Sequence, residues 1–303
     1  MINRQVLPQI MSELPEGLWV VATPLGNIHD LSPRARMVLE RANIILCEDT
    51  RRTSTLLCAT EINRSNGLGG LKRFDAFSGS RDISRIVSEL KTGKSVALVT
   101  DAGTPGISDP GAKLVAAARS ARVTVTPVPG PSSVMALLSV CGFTDTAFVF
   151  KGFFPRKQAE REREIALCQE SKAARIFVWF ESPMRVADAL SFIAAKAPEA
   201  DVVAGKEITK IYEKFFAAKA TETAEAVGQE VSREGTRGEW CFAVRFAEVP
   251  ETSQWIKILE CLIEAKVPLS LAVKQVSQHF GASRKSAYNL ALKLSEKKFH
   301  QGG

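Results

Sequence analysis

Histidine is scarce in this 303-residue chain: His29, His279 and His300 are the only three, which excludes a histidine-rich metal centre. Six cysteines (Cys47, Cys58, Cys141, Cys168, Cys241 and Cys261) are scattered with no C-x-x-C spacing. Neither a disulfide framework nor a zinc site is expected from them. Most lie in apolar stretches, where free cysteine behaves as a small buried hydrophobe. Long hydrophobic runs are missing too. The longest apolar stretch, Val123 to Phe143, carries Pro127, Pro129 and Pro131 in its first half. It reads as strand, turn and helix, not as a membrane span. Met1 to Ile10 lacks the apolar core of a secretory signal, so the expectation is a soluble, cytoplasmic protein with no membrane partner.

What is present fits an ordinary globular protein: 45% hydrophobic and 24% charged residues. At roughly 150 residues per domain the length suggests about two domains. A chain this long buries about 75% of its unfolded surface, so its core needs no disulfide or metal. Lys and Arg outnumber Asp and Glu by 40 to 33, a net charge of +7. That permits an anionic partner without proving one.

The first half alternates strand and helix signals. Leu18 to Ala22, Asn43 to Cys47, Ser95 to Thr100 and Val123 to Val128 read as strands. Helices are expected from Ser32-Pro33, over Thr50 to Ala59, Arg81 to Lys91, Pro110 to Arg119 and Ser132 to Val140. Near-continuous apolar strands separated by helices imply a sheet covered on both faces. Lys151 to Pro155 reads as a linker. A second α/β pattern follows: helices at Gln158 to Glu170 and Arg185 to Ala195, strands at Arg175 to Phe180, Asp201 to Ala204, Ile211 to Ala217 and Glu239 to Phe246. Pro250 opens a tail of three helices, Ser253 to Ala265, Ser270 to His279 and Ser283 to Ser295, with Gly281 as a C-cap signal and Ser283 capping the third. The expected fold is α/β: an N-terminal α/β domain over residues 1–150, a second over 151–250, and a helix-turn-helix-like domain over 251–303.

Three loops rich in glycine or proline follow strands: Thr23 to Asp30, Thr100 to Gly111 and Pro127 to Ser133. Ligands of α/β sheets bind beyond the carboxyl ends of strands. Glycine lets backbone approach a ligand closely, and Asp101 offers a carboxylate to an amine or a ribose. Any one such loop reads more readily as a tight turn; three at successive strand ends favour a ligand site. None is a Walker A or a G-x-G-x-x-G motif.

The segments Val20 to Asn27 with Asp30, Glu48 to Arg51, Asp101 to Gly111 and Pro129 to Ser132 together resemble the tetrapyrrole methylase-like superfamily. Gly152 to Arg156, Glu181 to Arg185, Lys206 to Lys210 and Gly238-Glu239 extend the likeness, which runs in order from about Gly17 to Leu294. Within the superfamily the chain is most similar to the branch that methylates the ribose 2′-hydroxyl of a cytidine in small-subunit (16S) ribosomal RNA. The resemblance implies S-adenosyl-L-methionine bound in a cleft between the two α/β domains, and a homodimer acting on ribosomal RNA or the assembled 30S subunit. It assigns cofactor contacts to Pro24, Asp101, Gly103, Thr104, Ile107, Ser132, Ser133, Met184 and Ala204. One departure stands out: Ala76 to Ser80 occupies the place of a His-x-His-Asn-Glu stretch, a change expected to touch chemistry and not fold.

A ribose hydroxyl is a poor nucleophile at neutral pH, so its proton needs an acceptor. Glu48, Asp49, Lys206 and Glu207 are the catalytic candidates in matched motifs. For Glu48 and Asp49 the acidic preference of a helix N-terminus is an equal alternative; for Lys206 and Glu207 it is an ion pair. His29 reads as a surface loop residue. Arg51, Arg52 and Arg185 are candidates for RNA contact. The tail from Glu251 holds eight Lys and Arg against four Glu, +4 of the +7. Arg284 and Lys285 open its last helix and are candidates for phosphate contact, with a solvated helical face as the alternative. Two other functions fit the pattern: a small-molecule methylase acting on a tetrapyrrole-like ring, and a non-catalytic nucleic-acid-binding relative.

Overall fold

A computed structural model describes residues 14–64, 70–107, 111–247, 251–280 and 283–299; in the C-terminal helices it describes the side chains of 255–280, 283–292 and 294. The first sheet holds β1 (Gly17–Val21), β2 (Ile44–Cys47), β3 (Leu71–Arg73), β4 (Ser95–Leu98) and β5 (Val125–Val128) in the order β3-β2-β4-β1-β5. Every pairing in it is parallel. Alternate side chains on each strand feed two cores. Trp19, Val21, Ile45 and Ala97 pack under α1 (Pro33–Arg41) and α2 (Thr50–Ala59). Leu18, Ile44, Leu46 and Val96 pack under α3 (Ser80–Lys91) and α4 (Gly111–Ser120). Burial on both faces is why these strands read as apolar runs.

Helix starts follow local chemistry. The Ser32 hydroxyl accepts the Ala35 N–H at 3.0 Å, with Pro33 in the first turn. Ser32→Ala should therefore cost about 1 kcal/mol in a urea melt; an unchanged midpoint would rule out that cap as a source of stability. In the departing stretch, the Asp82 carboxylate accepts the Gly79 N–H at 3.1 Å and fixes the entry to α3. Phe77 in that stretch is 91% exposed.

The second sheet is mixed. Its strands β6 (Phe148–Phe153), β7 (Ile176–Glu181), β8 (Asp201–Lys206), β9 (Lys214–Lys219) and β10 (Trp240–Arg245) run in the order β6-β7-β10-β8-β9. Only the β6–β7 pairing is parallel. One face, centred on Trp179 and Phe242, packs under α6 (Gln158–Glu170), α7 (Val186–Lys196) and α8 (Ala220–Glu234). The opposite face, with Val178, Val203, Cys241 and Ala243, packs on α5 (Ser133–Val140) of the first unit. That contact brings the carboxyl ends of the parallel strands against the second sheet.

Three expectations need correction. Lys151 to Phe153 is not a linker but the end of β6, because Phe148, Val149 and Phe150 pair with β7; Gly152, at φ +74°, carries the register shift. The expected boundary after residue 150 thus falls inside a strand. The strand expected at Ile211 begins only at Lys214, and Ile211 is 91% exposed in the preceding turn. Helix α8 went unforeseen because its inner face includes the polar Thr223 and Glu230, which blunts the apolar period. The tail forms α9 (Glu251–Glu264), α10 (Leu269–Phe280) and α11 (Arg284–Phe299) around a core of its own, including Trp255, Leu259 and Val276. The Gly281 cap signal lies outside the described residues. No helix among the described residues is long and apolar enough to cross a membrane.

Candidate functional site

A cleft of about 410 Å³ opens where the first sheet's loops meet the second sheet. The loop after β1 is stitched to the loop after β4 by paired backbone hydrogen bonds between Thr23 and Gly103, at 2.9 and 3.0 Å. Gly103 sits at φ +84°, a left-handed conformation that suits glycine. The Thr23 hydroxyl donates to the Thr100 carbonyl at 3.1 Å, and the Thr104 hydroxyl to the Pro131 carbonyl at 2.9 Å. All three loops are thereby locked into one floor.

From that floor Glu48, Asp101, Thr104, Ile107 and Ser133 line the cleft. Pro24 and Gly103 are buried in the loops beneath, and Ser132 caps α5 by accepting the Met135 N–H at 3.5 Å. The second sheet contributes residues that sequence reasoning did not select: Phe153, Phe180, Glu181, Ser182, Trp240 and Cys241 among them. A signal for Glu181 did exist, since it is an ionisable residue ending the apolar strand Ile176 to Phe180. Burial pushes the Cys241 thiol up, leaving it neutral. Met184 is 75% exposed and does not line the cleft. Ala204 is buried on the α7/α8 face of β8, turned away from α5.

Three of the four catalytic candidates do not line the cleft. Asp49 caps α2: one oxygen accepts the Arg51 N–H at 2.8 Å, and the other pairs with the Arg51 guanidinium at 2.9 Å. These bonds hold its carboxyl at about 2, well below the usual carboxylate range, which makes it a weak base. Lys206 is 6% exposed and pairs with Glu230 at 2.8 Å, not with Glu207. Its ammonium lies 5.9 Å from the Trp240 ring centroid, on the face that packs against α8. Glu207 accepts the Glu239 N–H at 2.8 Å and the Lys210 ammonium at 2.9 Å. Glu48 alone of the four lines the cleft.

The cationic candidates lie outside the lining. Arg51 turns outward at Asp49, Arg52 pairs with Asp101 at 3.2 Å, and Arg185 pairs with Glu181. Arg284 and Lys285 are exposed at the start of α11. The cleft itself carries four carboxylates, from Glu48, Asp101, Glu181 and Glu239, and no lysine or arginine among its described lining. In a chain of net charge +7 that segregation favours a ligand with positive charge. Among the described residues, no group of three or more His, Cys, Asp or Glu could hold a metal ion.

Comparison with known proteins fits this geometry. The profile of the Tetrapyrrole (Corrin/Porphyrin) Methylases matches residues 17–224. The chain is 38% identical over 282 residues to the Ribosomal RNA small subunit methyltransferase I of Xylella fastidiosa strain Temecula1, covering 90% of this chain and 98% of that one. It is 36% identical over 283 residues to the same-named protein of Neisseria meningitidis serogroup B, covering 92% and 94%. Among solved structures, a diphthine synthase superposes with a TM-score of 0.56 at 15% identity, covering 76% of this chain and 89% of that one. The methyltransferase CobJ gives 0.54 at 15% identity, covering 77% and 95%. The chain belongs to the tetrapyrrole (corrin/porphyrin) methylase family and, within it, to the group of the ribosomal RNA small subunit methyltransferases I.

Proposed function

We propose that this chain is an S-adenosyl-L-methionine-dependent methyltransferase that modifies the ribose 2′-hydroxyl of a cytidine in small-subunit ribosomal RNA. The observation that carries the reading is the make-up of the cleft lining: four carboxylates, three of them paired with Arg52, Arg185 and Lys210 outside the lining, beside apolar walls. A sulfonium and an ammonium suit carboxylates, and an adenine suits the apolar walls of Ile107, Phe153, Phe180 and Ile208. The donor set therefore fits the methyl donor. Asp101, Gly103, Thr104 and Ile107 would hold it on the loop after β4, with Pro24, Ser132 and Ser133 behind. When bound, it supplies an electrophilic methyl group.

The chain's own part is to orient the hydroxyl in line with that methyl, exclude water and receive a proton at a cleft carboxylate. An acidic cleft repels phosphate, so the RNA backbone stays at the rim, within reach of Arg51, Arg52 and Arg185. The helices α9 to α11 then extend the contact. We read the working form as a cytoplasmic homodimer, and the substrate as naked RNA or the assembled 30S subunit.

Two measurements test this. Tritium from the labelled donor should appear in small-subunit ribosomal RNA and not in a tetrapyrrole; the opposite partition overturns the reading. Arg284→Ala with Lys285→Ala should weaken RNA binding and flatten the slope of log affinity against log salt by about 1–2. An unchanged slope would remove α11 from the interface.

A further inference from the structure

Resting on that reading, we propose that Glu181 is the group that takes the hydroxyl proton during methyl transfer. Its carboxylate ends β7, opposite Trp240 of β10, and its side chain is 0% exposed while lining the cleft. One oxygen, Oε1, accepts the Ser182 N–H at 2.6 Å and the Arg185 guanidinium. The other, Oε2, is buried and has no hydrogen-bond partner. A buried oxygen with no donor is costly to keep, and a ligand that brings a proton donor removes that cost.

The other cleft carboxylates are already engaged. Asp101 accepts the Asp49 N–H at 3.1 Å through one oxygen and pairs with Arg52 at 3.2 Å through the other. Glu239 pairs with Lys210 at 3.0 Å and is 69% exposed. Glu48 is half-buried and has a partner within the chain. Glu181 thus offers a buried oxygen with both lone pairs open, on a carboxylate whose direction is fixed through Oε1. The Arg185 guanidinium beside it balances its charge.

In the step, the ribose oxygen forms a bond to the methyl carbon as the carbon–sulfur bond breaks, and the bonding pair stays on sulfur as a neutral thioether. The hydroxyl proton passes to Glu181 Oε2 and leaves to water after the products depart. The step balances with no other reactant.

The test is Glu181→Gln, which keeps size and removes the base. Calorimetry should find S-adenosyl-L-methionine still bound, which also reports a folded cleft, with a loss of affinity much smaller than the loss of rate because only one of the four cleft carboxylates is neutralised. Single-turnover methylation should fall about 10²–10⁴-fold, and the residual rate should climb with pH as hydroxide replaces the carboxylate. In Glu181→Ala, added formate and acetate should restore rate, acetate more than formate at equal carboxylate concentration because it is the stronger base. A Glu181→Gln rate within about threefold of wild type, or a donor affinity that falls in step with the rate, overturns the assignment while leaving the methyltransferase reading standing. A wild-type protein that transfers no methyl to RNA overturns both.

Discussion

Glu230→Ala is expected to destabilise the protein by about 3–5 kcal/mol, because it strands a buried charge. Glu230 is 4% exposed and accepts Lys206 at 2.8 Å, Lys214 at 2.9 Å and Arg233 at 2.8 Å. Lys206, 6% exposed, loses its carboxylate partner in the variant. Against a total stability of about 5–15 kcal/mol, the loss is large. The same cluster sets a pH dependence. Burial pushes the Glu230 carboxyl up, but Lys206 and Lys214 outweigh it and hold the group at about 2, against an ordinary 4.5. Its folded value is depressed, so its contribution is full above 4.5 and is lost as pH falls from there through about 2. Urea melts of wild type and Glu230→Ala should differ by the full amount at neutral pH and converge in acid. A difference under about 1 kcal/mol at neutral pH would show the cluster to be solvated and contradict the buried-charge account.

Asp101→Ala is expected to weaken S-adenosyl-L-methionine binding by about 1–3 kcal/mol, roughly 5- to 150-fold. The carboxylate holds the Asp49 N–H at 3.1 Å and Arg52 at 3.2 Å while it lines the cleft. Alanine removes one of four negative charges facing the ligand and releases an arginine at the edge of the cleft. Titration calorimetry checks this, with a urea melt to confirm that the variant remains folded. Wild-type affinity in a folded Asp101→Ala protein would remove the loop after β4 from the binding site.

How far the sequence reveals this molecule depends on how local each signal is. The strands of the first sheet are buried on both faces, so their apolar runs announce them, and the loops at their carboxyl ends follow directly. Ser32-Pro33 is a local cap and is equally legible. Edge and amphipathic elements are harder. Strand β3 has three residues, and α8 turns Thr223 and Glu230 inward, so neither gives a clean period. The site divides in the same way. Asp101, Thr104, Ile107 and Ser133 follow from loop position and reach the cleft. Lys206 does not, because its partner Glu230 is 24 residues away on a helix the pattern hides. The acidic preference at the start of α2 accounts for Asp49, whose carboxylate is spent as a cap. The open oxygen of Glu181 is a property of the closed cleft alone: no spacing shows that Ser182 and Arg185 both bind Oε1.

Alkaline hydrolysis of labelled RNA distinguishes which atom receives the methyl group. Small-subunit ribosomal RNA is incubated with this protein and tritiated donor, hydrolysed to completion in alkali, and separated by chain length. A methylated 2′-oxygen cannot attack the neighbouring phosphate, so the account predicts label in an alkali-resistant dinucleotide whose 5′ residue is cytidine. Label recovered in mononucleotides would place the methyl group on a base and contradict the account.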